Sequence, residues 1–226
     1  MLNGIKNSGT KAATGSSRVI SVNVGRPQTV QAGRLEVTSA IWKNPVSGPV
    51  ALGQLNFEGD EQADLQAHGG PDKAVYAYAS EDLDWWAGEL GRAVSAGAVG
   101  ENLTTAGIDF REALIGERWQ IGSAILEVAQ PRIPCYKLGV RFEDAAMPKR
   151  FAAALRPGAY LRVITAGAIE PGDAITVVSR PAHAVTIDLL NRVYHVDHKL
   201  AVSVLAAPAL PAGWRTWVQE MVQKLQ

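Results

Sequence analysis

Cysteine is nearly missing from this chain: Cys135 stands alone among 226 residues. A single thiol excludes an internal disulfide and a structural zinc site built from several thiolates, and it is compatible with a reducing compartment. Net charge is missing as well. Lys and Arg number 22 and so do Asp and Glu, so no global field draws in a polyanion. A nucleic-acid polymer is therefore not expected as a partner. No window reaches the roughly 18 consecutive apolar residues of a spanning helix, so no membrane association is expected either. The opening stretch "MLNGIKNSGTKAATGSSR" is polar and rich in small residues, without the apolar core of a signal peptide. It reads as a disordered arm over residues 1–17, and the chain as a cytoplasmic protein. What remains, 47% hydrophobic and 19% charged, fits a globular protein with a substantial core.

Between Arg18 and Arg180, short runs rich in Val, Ile and aromatics alternate in polarity and end at Gly, Pro, Asn or Asp, the pattern of strands. They cover Arg18–Val24, Gly33–Trp42, Ala74–Tyr78, Ala124–Gln130, Tyr160–Gly167 and Asp173–Arg180. Strands this short predict a mostly β domain with α insertions over residues 18–180, closed or nearly closed into a barrel, because closure removes exposed edges. Two helices interrupt them. In "SEDLDWWAGEL" Ser80 is the expected N-cap, with Glu81 and Asp82 in the first turn. "PKRFAAALRPG" opens on Pro148, stops at its last Pro-Gly, and turns Phe151 and Leu155 to the core. After Pro181 the texture changes. "TIDLLNRVYH", "DHKLAVSVLAA" and "GWRTWVQEMVQKLQ" have helical periodicity, and Trp214, Trp217, Met221 and Leu225 form one stripe. Helices too short to persist alone must bury their stripes together, which predicts a small three-helix bundle over residues 182–226.

Three polar clusters fall in loops, where binding and catalytic groups concentrate. "GDEQADLQAHGGPDKAVY" sets His68, Asp72 and Lys73 around a turn whose Gly69 and Gly70 permit close approach and positive φ. That suits either an ordinary polar turn or amides aimed at an anion. "GENLTT" offers Asn102 either to hold a ligand or to cap a turn. "QPRIPCYKL" places Cys135 after a strand, with Arg132 and Lys137 near enough to favour thiolate over thiol. The alternative is a buried cysteine acting as a small hydrophobe. Lys43, in "IWKNPVSGPV", adds another cation before a Pro-rich turn. A thiol, several cations and a Gly-rich turn suit a phosphate-bearing cofactor that carries a soft metal.

The segments "KNPVSGPV", "GDEQADLQAHGGPDKAVYAY", "GENLTT" and "QPRIPCYKL", in this order and spacing, resemble the MOSC family, the C-terminal domain of molybdenum-cofactor sulfurases. The helical tail resembles that of the family's YiiM-like branch. The likeness spans roughly Val19 to Arg180 and then the tail. It implies a β-barrel that binds molybdenum cofactor, a metal held by the dithiolene of a pterin phosphate, with Cys135 as protein ligand or sulfur-handling residue. Lys43, Lys73, Arg132 and Lys137 would neutralise the cofactor phosphate, Gly69 and Gly70 would bring amides to it, and Asp72 and Asn102 would complete the binding set. His68 or Lys43 would supply protons. No pyridoxal phosphate is expected, because the chain has no room for the sulfurases' desulfurase domain.

The implied activity is reduction of small N-hydroxylated compounds such as 6-hydroxylaminopurine, a detoxification. No flavin, haem or iron–sulfur signature is present, so an external electron-donor reductase is implied as partner. The composition leaves a homodimer open. Two other readings use the same residues: a non-enzymatic carrier of the cofactor or of a persulfide on Cys135, and metal-free nucleophilic catalysis by Cys135 with His68 as base.

Overall fold

The computed structural model describes residues 16–65 and 69–225. Residues 1–15 of the expected arm, and His68, lie outside the described residues. Strands β1 (Arg18–Val24), β2 (Gln28–Ala32), β3 (Leu35–Ser39), β4 (Asn44–Val46) and β5 (Val50–Leu52) come first. Strand β6 (Val75–Ala79), helix α1 (Ser80–Leu90), strands β7 (Leu103–Ala106), β8 (Arg118–Ile121) and β9 (Ala124–Gln130) follow. Then come helices α2 (Tyr136–Phe142) and α3 (Met147–Ala154) and strands β10 (Ala159–Thr165), β11 (Gly167–Ile169) and β12 (Ile175–Ser179). Helices α4 (Ile187–His195), α5 (Ala201–Val204) and α6 (Ala212–Lys224) end the chain.

Eight strands form one mixed sheet in the order β12-β8-β9-β10-β6-β7-β1-β4, with β11-β5 and β2-β3 as separate pairs. All pairings in the large sheet are antiparallel except β6 with β7. A parallel neighbour needs a crossover, and α1 supplies it. Register shifts between Val19 and Ser21, Tyr160 and Leu161, and Val177 and Ser179 increase the local twist and curl the sheet.

The expected closed barrel is not formed. Among the described residues the two ends of the curled sheet meet only at the Arg18–Ala174 bridge and its neighbouring bonds, such as Val19 N to Asp173 O at 2.9 Å. The reason lies in β1, which gives the far end of its free edge, Val22–Val24, to β4. Beyond Ile175, β12 has no second partner strand, and its Val177 is 50% exposed.

Alternation along β6 divides the core. Val75, Ala77 and Ala79 join a cluster with the sheet interior and the C-terminal helices, whereas Tyr76 and Tyr78 pack on the opposite side with α1, α2 and α3. On that side Trp86 stacks on Phe151 with centroids 5.7 Å apart and donates its indole N–H to Tyr78 Oη at 2.9 Å. The N-cap of α1 is Ala79, not Ser80, which is the first helical residue and turns its hydroxyl to Glu81. Glu81 instead accepts from Gly107 N at 2.7 Å, tying the helix start to the end of β7. Phe151 is buried, whereas Leu155 is half-buried in the left-handed cap of α3.

The tail carries three α-helices of unequal length. Its middle piece is a 3-10 turn over His198–Leu200 followed by the single turn α5. Asp197 caps the 3-10 turn, and the "APALPAG" prolines end the segment. Ile187, Leu190, Val193, Val204, Leu210 and Val218 lie in the same buried cluster as the sheet interior. Trp214 and Trp217 meet edge to face at 5.6 Å and pack against that cluster, while Leu225 of the expected stripe is exposed. No helix among the described residues is long and apolar enough to cross a membrane.

Candidate active site

One cleft collects Lys43, Lys73, Asn102, Arg132, Cys135 and Lys137, residues that stand up to 94 positions apart in sequence. Lys43 comes from the crossing that follows β3. There Gly25 runs so close to the Trp42 carbonyl that a Cβ would stand 2.7 Å from its oxygen, so the chain needs glycine. Lys43 is buried and its ammonium is ion-paired to Asp60 Oδ1. Burial holds its pKa below the ordinary value, with Asp60 and then Glu101 opposing.

Asp60 is the hinge-pin of this wall. Its Oδ1 also accepts Gly25 N at 2.8 Å, and its Oδ2 accepts Asn102 Nδ2 at 2.9 Å. Asn102 in turn accepts Tyr76 N through Oδ1 at 3.1 Å and exchanges backbone bonds with Tyr76 and Asn23 at 2.7 Å. It therefore bridges β1, β6 and the Asp60 loop. Behind it Glu101 is fully buried and accepts Gly97 N at 2.6 Å, Thr104 Oγ1 at 2.9 Å and Val99 N at 3.1 Å. Burial pushes its carboxyl up to about 7 despite those bonds.

The opposite wall follows β9. Arg132 is buried; its Nη1 donates to Val99 O at 2.6 Å and its guanidinium lies 5.0 Å from the Tyr76 ring centroid and 5.6 Å from that of Phe151. Burial opposes its charge, but Tyr76, Tyr160 and Cys135 around it hold its pKa above the usual value. Cys135 is partly exposed and occupies the N-cap position of α2, where its carbonyl accepts Leu138 N at 3.0 Å. Lys137, in the first turn of α2, is buried and lies 3.9 Å from Asp64. Lys73 is half-buried, and burial lowers its pKa against the pull of Asp72 and Asp64.

The remaining expected residues among those described lie elsewhere. Gly69, Gly70 and Asp72 face a neighbouring notch closed by Trp214 and Trp217. Gly70 does take positive φ, 92°, and Asp72 is ion-paired with Arg162. Gln130 fastens the notch, donating to Asp72 O at 3.0 Å and accepting Trp214 Nε1 at 2.6 Å. Conversely, Asp60, Tyr76 and Tyr160 line the cleft although sequence reasoning did not single them out as site residues. Asp60 stands among several acids in one loop, and nothing in the string distinguishes the one that turns inward. Tyr160 reads as an ordinary strand aromatic.

Residues 64–176 match the MOSC domain family. The chain is 31% identical to Protein YiiM of Escherichia coli over 206 residues, covering 89% of this chain and 91% of that protein. The crystal structure of YiiM from Geobacillus stearothermophilus superposes with a TM-score of 0.76 at 33% identity, covering 91% of this chain and 99% of that one. A "Reductase" of Gibberella moniliformis is 36% identical over 163 residues, 67% of this chain and 29% of that longer protein. This chain belongs to the MOSC domain family. Within that family it is similar to YiiM in sequence and in fold.

Proposed function

We propose that this chain binds molybdenum cofactor in the Cys135 cleft and reduces small N-hydroxylated compounds, in the cytoplasm, with electrons from a separate reductase. The observation that carries the reading is the meeting of one partly exposed thiol with four cationic side chains in a single cleft. The residues fit the group. A thiolate is a soft donor suited to a metal already bound through sulfur, and Arg132, Lys137 and Lys73 would offer counter-charge to an anionic pterin phosphate. Among the described residues no group of three or more His, Cys, Asp or Glu side chains converges on a metal position, so a metal at Cys135 would bring ligands of its own. Family membership and the reductase-named relative support a redox role.

When bound, the cofactor supplies the two electrons of the reaction, which it receives from the external donor. The substrate R–NHOH takes up two electrons and two protons and leaves as R–NH2 and water. The protein's part is to position the substrate and to deliver protons. In this reading Lys43, its pKa lowered by burial and its ammonium steadied by Asp60, protonates the departing oxygen.

Protein produced in a host that makes the cofactor should carry molybdenum and pterin and reduce 6-hydroxylaminopurine with an artificial electron donor. Cys135→Ser should lower turnover at least 100-fold while leaving the thermal midpoint within a few degrees, because a hard hydroxyl replaces a soft donor on a partly exposed position. Purified protein without metal or pterin would sink the reading. Bound cofactor that is handed to an apo-enzyme without any reduction would make the chain a carrier.

A further inference from the structure

A small polar pocket lies between the loop that follows α1 and the end of α2, and it shares no lining residue with the Cys135 cleft. Arg92 and Ser95 line it from the loop, and Arg141 and Phe142 from the helix. Its charged side chains are both arginines. Among the described residues eight other arginines are ion-paired with Asp or Glu, and Arg92 and Arg141 are not. Arg92 is anchored by Nη2, which donates to Phe142 O at 3.0 Å, and its guanidinium lies 5.8 Å from the Phe142 ring centroid. The Arg141 Nε is buried and donates to nothing. Cations at the C-terminal end of a helix complement its last carbonyls, which accounts for Arg92. It does not account for Arg141, whose buried Nε reaches no carbonyl. Burial holds the Arg141 pKa below its ordinary value, with Glu101 opposing and Arg92 reinforcing the shift, so the two guanidiniums feel each other.

We infer that this pocket is a second anion site, separate from the Cys135 cleft, and that Arg92 and Arg141 together take a phosphate group. Two guanidiniums without an acid between them leave two positive charges to be met from outside the chain. A carboxylate would match one of them, whereas a phosphate dianion matches both and offers oxygens in pairs to each planar fork. The Ser95 hydroxyl can donate a further bond. The pocket, about 110 Å³, has room for several waters or for one tetrahedral oxyanion. Anything esterified to the phosphate would stay in solvent, so the free ion and the end of a phosphomonoester share the recognised chemistry. The loop over residues 97–101 stands between the two sites, with Ala98 on the pocket, Gly100 on the cleft and Val99 O accepting from Arg132. The inference does not depend on what the cleft binds.

Titration of the purified full chain with inorganic phosphate, followed by amide NMR, tests this residue by residue. Phosphate should move the amides of Ser95 and Ala98 along a saturable curve. Arg92→Gln and Arg141→Gln should each weaken that curve by about 10-fold or more, as the loss of a charge-assisted pair requires. Ser95→Glu, at an exposed loop position, sets a carboxylate beside the two guanidiniums and should weaken it likewise. It serves if an arginine variant does not fold. Lys73→Ala, in the cleft, should leave the Ser95 and Ala98 curve unchanged, which separates this site from phosphate held near Cys135. Phenyl phosphate gives a further arm: tighter binding than the free ion, with the same arginine dependence, makes an ester the ligand, and weaker binding makes it the free ion. Acetate binding as tightly as phosphate would overturn the inference and make the pocket a seat for an acidic side chain. Phosphate that moves only cleft amides, or a curve unaltered in Arg92→Gln, Arg141→Gln and Ser95→Glu, would also overturn it while leaving the cofactor reading untouched.

Discussion

Asp60 holds together a wall whose other members would repel or drift without it. It neutralises the buried Lys43 ammonium, and its carboxylate also accepts from Gly25 and Asn102. Removing one partner of a buried pair leaves an uncompensated charge, so Asp60→Asn should cost about 3–5 kcal/mol in urea unfolding. Replacing Lys43 by Met in the same protein should recover part of that loss, and a double variant as unstable as the sum of the two singles would show that the pair is not coupled. Glu101 gives a pH signature. Its folded carboxyl holds a proton up to about pH 7, whereas in the unfolded chain it releases it near 4.5. Its contribution to stability is therefore fully present below the lower value and is lost as pH rises through the upper one. Glu101→Gln cannot titrate, so the stability difference between wild type and variant should fall steadily from pH 4.5 to 7.5. A difference that stays flat over that range would contradict the assignment.

Among the elements, the C-terminal helices were readable as helices and their role was not. Thr186 caps α4 by accepting Leu189 N at 3.0 Å, and Asp188 pairs with Arg192 one turn on, both local signals. That Ile187, Leu190 and Val218 complete the core of the sheet is not local. Truncation before Ile187 should therefore expose this apolar surface and give insoluble or unfolded protein, read by circular dichroism and a lost unfolding transition. A truncated chain that folds and loads cofactor normally would instead make the tail a docking module. Helix α2 escaped sequence reading because it is short and carries Gly139 in its middle. The structure explains that glycine, since a Cβ there would stand 2.9 Å from Asp144 O in the returning chain. Strands β2, β4, β5, β7, β8 and β11 were missed for a related reason: each is five residues or fewer, and their pairing, not their composition, makes them strands.

At the scale of the whole molecule, the sheet curls without closing, and its edges should behave as edges. In hydrogen exchange the amides of β12 beyond Ile175 should lose protection well before those of β9 and β10, which are paired on both sides. Equal protection of β12 and β9 would mean that the ends are ladder-bonded after all. Apolar alternation and turn residues announced a mostly β chain, because side chains on a strand alternate faces and Gly or Pro must sit where the backbone turns. The motifs around Lys43, Lys73, Asn102 and Cys135 announced their family. They could not say that Asp72, Gly69 and Gly70 would face the tail's tryptophans while Asp60, Tyr76 and Tyr160 faced the cleft. Local pattern records which way a residue points relative to its own strand or turn. Which cavity it points into depends on where distant strands are brought, and whether β1 meets β12 or β4 along its free edge is a competition between long-range pairings that no short window contains.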